Sequence, residues 1–513
     1  MPEKERRQPM NIVNNLELSA KFCPGKTAVI FEDQAITYED LLLKVDQLAS
    51  GMEAAGIEKG DRVGLFMPNV PEFLMIYFAV QKIGAIVVAL NVLLVKNEVR
   101  YILKDCGAKM VFAGKDQVKE VPVDELPDLE QLVLVEGDPE NEMHIERLYD
   151  KTVRQFKTLD MDEDDPCAIL YTSGTTGFPK GAVLTHFGVL TNINATIYHT
   201  GMKSDDVLHL FLPLFHCFGQ NFIMNAGIKR GATLVMHRRF EPEPVIRAVA
   251  QHGVTMFFAV PTIYIYLLNM KDEDLHLQSI RYFFTAAAAM PLEVAEAWRA
   301  RHKMPIHDGY GLTECSPFGS YNHDFKHKPG SIGHPIINGE MKIVDDSGNP
   351  VAPGEWGEIC IKGPNVMKCY WNKPEETAKT IRNGWLHTGD VGTQDPDGDY
   401  FIVDRVKDMI ISAGNNIYPT EIENHLYAHP AVHEAAVFGI PDAIKGEAVK
   451  AAIVLKPGNA PDPGEIIAFC KTRMAKYKVP KQVLFLDELP KSATGKILKR
   501  VLRETASRER QSA

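Results

Sequence analysis

An α/β protein is predicted, and three observations carry the prediction. Strand-like apolar runs alternate with helical patterns through most of the first 330 residues, which argues for parallel sheets covered by helices. From Gly330 the texture changes to glycine, proline and short β-like runs, the signature of a small β-rich subdomain. After the charged run Asp404-Arg405-Val406-Lys407-Asp408 a further compact α+β unit begins, spanning 409–513. A chain of 513 residues leaves room for roughly three such units.

In chain order, 63–67 reads as a strand closed by Pro68 and Asn69, 72–83 as a helix, and 86–90 as the next strand. The pattern returns at 233–236 (strand), 242–252 (helix) and 254–260 (strand). Residues 121–165 are acidic and irregular, and a solvated connection between two halves of the domain is expected there. Short strands are expected at 341–344, 358–361 and 400–403. In the last unit Thr420, followed three residues later by Glu423, resembles a capping box opening a helix. A helix at 464–475 and a strand at 482–486 follow.

Composition narrows the function classes. The net charge of −11, from 56 basic and 67 acidic residues, lacks the basic footprint of a nucleic-acid binder. The eight cysteines are scattered without a CxxC pair, so neither a zinc ribbon nor a disulfide framework is expected, and a reducing cytoplasm is the simpler setting. The charged first residues lack a following apolar core, so no signal peptide is expected. The most apolar stretch, 73–95, is broken by Gln81, Lys82 and Asn91 and is too interrupted to cross a membrane. The tail Gln511-Ser512-Ala513 is not a peroxisomal address.

The richest local signal is YTSGTTGFPKG, 171–181. Its glycines allow close backbone approach, its hydroxyls can donate, and Lys180 adds a charge, a composition suited to phosphate oxygens. It is not the P-loop of kinases and GTPases, because Pro179 stands where that pattern needs glycine and Gly181 where it needs Ser or Thr. Four weaker constellations follow. In Asp308-Gly309-Tyr310-Gly311-Leu312-Thr313-Glu314 the glycines let a flat ligand pass under the tyrosine ring, and Glu314 is a hard carboxylate suited to Mg²⁺. In WLHTGD, Asp390 can accept the hydroxyls of a ribose. Arg405 lies in a charged hinge-like run, and Lys496 follows Thr-Gly in PKSATGK. A phosphate loop, an aromatic turn, a ribose carboxylate and two cations share one ligand, ATP.

The five motifs TSGTTGFPKG, YGLTE, WLHTGD, DRVKDMI and PKSATGK, in this order, resemble the superfamily of acyl- and aryl-CoA ligases, peptide-synthetase adenylation domains and firefly luciferase. The likeness runs from about Thr27 to Arg503. It implies a large N-terminal domain, 1–404, of two α/β lobes plus a β-subdomain at about 330–404, a hinge at 405–408, and a small mobile C-terminal domain at 409–513. It also implies two half-reactions. A carboxylate attacks the α-phosphate of Mg·ATP to give an acyl-adenylate and pyrophosphate, and CoA then takes the acyl group and releases AMP.

Carried onto this chain, the resemblance places Thr172, Ser173, Gly174, Thr175, Thr176, Gly177 and Lys180 on the β- and γ-phosphates. Thr313 would meet the α-phosphate, Glu314 would hold Mg²⁺, Tyr310 would pack on the adenine, and Asp308 and Gly309 would also belong to the ATP site. Asp390 and Arg405 would hold the ribose, Asn416 would touch the nucleotide, and Lys496 would bridge carboxylate and α-phosphate. Lys407 is the implied pivot, and rotation about it would bring Ala413 and Gly414 to the CoA tunnel, with Arg239 near the CoA phosphates. His216 would gate the acyl pocket, and Phe218, Ala287 and Ala288 would line it. A non-catalytic acyl- or nucleotide-binding homologue is argued against by intact Lys496, Glu314 and Asp390.

DRVKDMIISAGNNIYP is most similar to bacterial long-chain fatty-acid–CoA ligases, so a medium- or long-chain fatty acid is the expected substrate, with a coumarate- or benzoate-like aryl acid as the alternative. LPLFHCFG has no acidic partner for an amino-acid substrate. Three departures from the family pattern bear on substrate range and CoA affinity: Thr285 and the four alanines after it, Cys369, and Ala413. Peripheral membrane association and a homodimer are both compatible with such an enzyme.

Overall fold

Two large sheets form the body of the N-terminal 335 residues. The first has nine strands in the order His334–Pro335, Phe318–Tyr321, Ile306–Gly311, Tyr282–Thr285, Met256–Ala259, Val207–Leu210, Thr233–Met236, Thr27–Phe31 and Gln34–Thr37. The second has seven: Cys369–Tyr370, Lys180–Thr185, Pro166–Thr172, Ile86–Ala89, Arg62–Phe66, Ala108–Ala113 and Gln131–Leu134. Central neighbours in both are parallel. Sequences such as MFFA and IVVA are apolar at every position because helices cover both faces, and both strands are wholly buried, as is YFFT. The computed structural model describes residues 10–511 apart from 33, 142, 173–178, 272–274, 406–407, 413–414, 443–444 and 493–494.

A smaller sheet joins Glu340–Val344, Gly357–Lys362, Trp385–Gln394, Ile381–Arg382 and Tyr400–Arg405, all antiparallel. The C-terminal unit has its own sheet, built on the long hairpin of Val432–Asp442 and Gly446–Leu455, with Ile410–Ser412, Asn415–Ile417 and Gln482–Phe485. Its core of Ile410, Ile417, Ile422, Leu426, Val437 and Ile453 is separate from that of the large sheets. Among the described residues no helix is long and apolar enough to cross a membrane. All eight cysteines are free thiols.

Three expectations are corrected. Residues 121–165 are not merely a solvated connection: Gln131–Leu134 completes the seven-stranded sheet, and Leu126, Val133, Ile145, Tyr149 and Met161 are buried. Charge density masked these spaced apolar positions. The capping box is absent. The helix starts at Pro419, the Thr420 N–H donates to Asp404 Oδ2 at 2.9 Å, and Glu423 turns to the Val437 N–H and to Lys499, both at 2.7 Å. Tertiary partners outcompete the local cap. The strand expected at 254–260 is the shorter Met256–Ala259, cut off where Pro261 opens a helix.

Candidate nucleotide and acyl site

In parallel α/β sheets, ligands bind outside the carboxyl ends of the strands. Four of five neighbouring strands of the nine-stranded sheet end near residues singled out by sequence, and the fifth ends at the segment that meets Gly495. Val207–Leu210 leads to His216, Thr233–Met236 to Arg239, Met256–Ala259 to Val260 and Thr262, and Tyr282–Thr285 to Ala287 and Ala288. Ile306–Gly311 carries Asp308, Gly309 and Tyr310 and delivers the turn Thr313–Cys315. Sheet order therefore gathers segments about 100 residues apart in sequence.

The glycines around Tyr310 make room for neighbouring protein atoms. A methyl on Gly309 would lie 2.3 Å from Phe284 Cζ, and one on Gly311 would lie 2.0 Å from the Pro317 carbonyl oxygen. Gly311→Ala must therefore displace the turn bearing Thr313 and Glu314. A misplacement near 1 Å costs on the order of 100-fold in rate. We expect kcat/KM for ATP to fall by about that factor while the thermal midpoint moves little, as steady-state kinetics beside calorimetry will show; unchanged kinetics would exclude a positioning role.

Asp390 is buried, its Oδ2 accepting from Tyr310 Oη at 2.7 Å and its Oδ1 forming an ion pair with Arg405 Nε at 2.9 Å. Asp390 and Arg405 face each other in register across two antiparallel strands, which holds the pair in place. Enclosure in the fold pushes the Asp308 carboxyl up to about 8. Glu314 is also buried. Its Oε1 accepts from Tyr370 Oη at 2.7 Å, and among the described residues its Oε2 has no hydrogen bond. Lys180 pairs with Glu376 and lies 5.3 Å from the centre of the Tyr370 ring. The Lys180 ammonium, through its hydrogen bond, draws Glu376 down to about 2.

The expected phosphate loop joins two antiparallel strands, Pro166–Thr172 and Lys180–Thr185, with Thr172 opposite Lys180. It is a hairpin, not the strand-to-helix turn of a P-loop. Ser173, Gly174, Thr175, Thr176 and Gly177 lie outside the described residues, as do Lys407, Ala413, Gly414 and the side chain of Asn416.

Lys496 and His216 come together from 280 residues apart in sequence (496 − 216 = 280). Burial, and then the nearby Lys496 charge, push His216 down to about 4. The His216 Nδ1 accepts the Phe218 N–H at 3.2 Å, so the ring proton belongs on Nε2. We expect the His216 imidazole nitrogen shifts to stay flat from about pH 5.5 to about pH 8; a midpoint near the ordinary histidine value would refute its enclosure by the docked C-terminal unit. That docking is direct. Gly495 packs so close to the first domain that a methyl on it would lie 3.0 Å from Val260 Cγ2 and 3.3 Å from Thr262 Oγ1.

Beyond His216 the wall is aromatic. Phe218 opens a wide π-helix, Phe218–Asn225, a form frequent at functional sites. Phe222 stacks on Phe284 at 4.7 Å and meets Phe318 at 4.9 Å. Ala287 has φ +72°, a left-handed conformation that costs a non-glycine residue about 1–2 kcal/mol. Cys369 sits in an edge strand opposite Val183. Arg239 is exposed and paired with Glu241 at 2.8 Å.

Sequence reasoning missed Tyr370, Glu376, Asn192 and Asn365. The two asparagines donate to the Cys315 and Phe318 carbonyls and brace the Glu314 turn. Tyr370, Asn192 and Asn365 carry no charge, and Glu376 stands among the charges of an exposed-looking helix, so no local signal marks them.

A family model for AMP-binding enzymes matches residues 16–371, and the model for the C-terminal domain of AMP-binding enzymes matches residues 421–496. This chain belongs to the AMP-binding enzyme family. The family member is 38% identical over 522 residues to a long-chain-fatty-acid–CoA ligase of Bacillus subtilis (strain 168), covering 95% of this chain and 93% of that one. It is 39% identical to a feruloyl-CoA synthase of Amycolatopsis sp, over 94% of this chain and 96% of the other. The solved structure of an anthranilate CoA ligase with anthranoyl-AMP superposes with a TM-score of 0.92 at 30% identity, covering 99% of both chains. The AMP-binding enzyme described here is thus an adenylate-forming acyl-CoA synthetase, with ATP, Mg²⁺ and CoA as its cofactor and co-substrates. Its fold is the large N-terminal domain plus small C-terminal domain of such ligases.

Proposed function

We propose that this AMP-binding enzyme activates a medium- or long-chain fatty acid as its acyl-adenylate and transfers the acyl group to CoA. One observation carries the assignment of the reacting centre: Lys496, Thr313 and His216 converge where the Asp390–Arg405–Tyr310 cluster can fix a ribose. Asp390 retains lone pairs for the ribose hydroxyls, Arg405 holds it in place, and Tyr310 lies along the adenine.

The nucleophilic carboxylate and the α-phosphate are both anions. The Lys496 ammonium bridges them, and the neutral His216, with its proton on Nε2, borders the acyl side without adding charge. The bond formed is carboxylate oxygen to phosphorus, and the bond broken is between that phosphorus and the pyrophosphate oxygen. Lys180 exchanges Glu376 for phosphate oxygens as the nucleotide enters. The buried carboxylate of Glu314, anchored by Tyr370, is a hard oxygen donor that fits Mg²⁺, which supplies charge neutralisation on the phosphates. The C-terminal unit then turns about Lys407. This withdraws Lys496 and brings Ala413 and Gly414 to the path of the CoA thiol, while Arg239 exchanges Glu241 for a CoA phosphate. The thiol sulfur attacks the acyl carbon and AMP leaves.

The apolar wall of Phe218, Phe222, Phe284 and Phe318, with Ala287 packed against it, supports an uncharged acyl chain. A second reading, an aryl acid, is supported by the stacking of those rings and by the feruloyl- and anthranilate-specific relatives. A panel of acids with ATP, Mg²⁺ and CoA, read out as AMP formation, separates the two. A maximum at straight-chain acids supports the fatty-acid reading. A maximum at cinnamates or benzoates replaces it and leaves the reaction intact.

A further inference from the structure

The β-rich subdomain holds a second cluster of chemistry-bearing side chains, on the sheet face opposite Ile359 and Ile361. Glu358 and Cys360 are two residues apart on Gly357–Lys362 and so share a face. Cys360 stands opposite His387 of the neighbouring strand. The Cys360 Sγ lies 3.5 Å from His387 Nδ1, and His387 Nδ1 lies 2.7 Å from Glu358 Oε2. One ligand atom from each residue falls within 4.8 Å of the other two. Tetrahedral zinc with ordinary Zn–S and Zn–N lengths sets sulfur and nitrogen about 3.6 Å apart. The Cys360–His387 pair already matches that edge. Nitrogen and oxygen ligands would stand about 3.4 Å apart, so only the half-exposed Glu358 carboxylate must withdraw slightly.

The cluster borders a cavity of about 690 Å³ between the β-subdomain and the C-terminal unit, lined by Glu358, His387 and Gly389 and by Met409 and Tyr418 from across the gap. The cavity provides an entry path and room for a water as fourth ligand. Asp345 and Asp346 on its wall offset Lys342 and Arg382, and Lys342 is drawn over the Trp385 ring at 4.3 Å. No CxxC spacing exists because the ligands come from two strands. We propose that Glu358, Cys360 and His387 bind a zinc ion, and that this ion acts on the nucleotide site through the turn that carries Asp390.

The coupling path is short. Glu358 Oε1 accepts the Gly389 N–H at 2.9 Å, Thr388 Oγ1 donates to the Ile359 carbonyl at 2.7 Å, and the Asp390 N–H donates to Thr388 Oγ1 at 3.1 Å. Gly389 has φ +71°, which glycine adopts without strain, and these bonds tie the turn to the neighbouring strand. Drawing Glu358 onto the ion loosens Gly389 and, with it, Asp390. Binding forms a metal–sulfur bond and releases the Cys360 thiol proton to solvent, and the His387 ring proton moves from Nδ1 to Nε2. Burial, then Glu358, push that thiol up to about 12, so the metal must supply the driving force.

The coupling rests on the nucleotide reading of Asp390, whereas metal binding does not, and the experiment separates them. Titrating the full chain with Co²⁺ without ATP is expected to give one equivalent with a sulfur-to-cobalt charge-transfer band, displaced by Zn²⁺. The band should be absent in Cys360→Ser and retained in Cys470→Ser, the thiol of the C-terminal core. No band, or a band unchanged in Cys360→Ser, overturns the site. Should Cys360→Ser fail to fold, Glu358→Gln keeps the side-chain shape and is expected to weaken zinc at least tenfold in competition with a chromophoric chelator; undiminished affinity overturns it equally. Zinc should raise the KM for ATP in the parent and not in Cys360→Ser. An equal rise in both removes the coupling.

Discussion

Lys496→Ala is expected to lower acid-dependent pyrophosphate release about 10²–10³-fold while leaving thioester formation from supplied acyl-adenylate nearly intact. The physical reason is charge. Carboxylate and α-phosphate must meet, and a cation about 4 Å away offsets roughly 4 kcal/mol at an effective dielectric near 20, close to three decades in rate. The backbone that carries Lys496 is fixed by its own turn. The Ser492 N–H donates to the Lys496 carbonyl at 2.8 Å, the Lys496 N–H to Ser492 Oγ at 3.2 Å, and the Gly495 N–H to the Ser492 carbonyl at 2.9 Å. Gly495, at φ +78°, turns the chain there. The second half-reaction begins from an adenylate already formed, and its leaving group departs without that bridge. The two half-reactions are read by pyrophosphate release and by thioester formation; equal losses would remove Lys496 from the first step.

Lys499→Met is expected to destabilise the C-terminal unit by about 3–5 kcal/mol. Lys499 lies at the start of the helix Lys499–Gln511 and pairs with Glu423 at 2.7 Å, both side chains being largely buried. Its charge also reaches Asp404 and Asp408 at the junction of the two units. Burial raises the Glu423 carboxyl, whereas Glu423 and Asp404 raise Lys499 against the opposing effect of its own burial, so the lysine stays charged. That balance sharpens the prediction. Removing the lysine alone strands two buried carboxylates, whereas Lys499→Met with Glu423→Leu is expected to recover most of the loss. Denaturant unfolding followed by hydrogen exchange in Val432–Asp442 measures both; a single variant as stable as the parent would show the pair to be idle.

Much of the fold was legible. The strands at 233–236 and 86–89, and the helices at 72–83 and 242–252, lie within a residue or so of where they were expected, because period and punctuation are local properties. The segment 121–165 was misread because its buried residues are spaced among charges, and the Thr420–Glu423 cap was misread because Asp404 and Lys499 take its partners. Tyr370, Glu376 and the Glu358–Cys360–His387 cluster are visible only once strands distant in sequence lie side by side.

The chemistry of this AMP-binding enzyme was written in short motifs, because a glycine turn, a carboxylate or a lysine has its properties wherever it is placed. Which of these groups meet was a matter of sheet order, register and domain docking. Parallel strands align five carboxyl ends, antiparallel pairing sets Asp390 against Arg405, and the packing of Gly495 on Val260 brings Lys496 beside His216. Distance decides an electrostatic or metal-binding role, and distance between remote residues exists only in the folded chain.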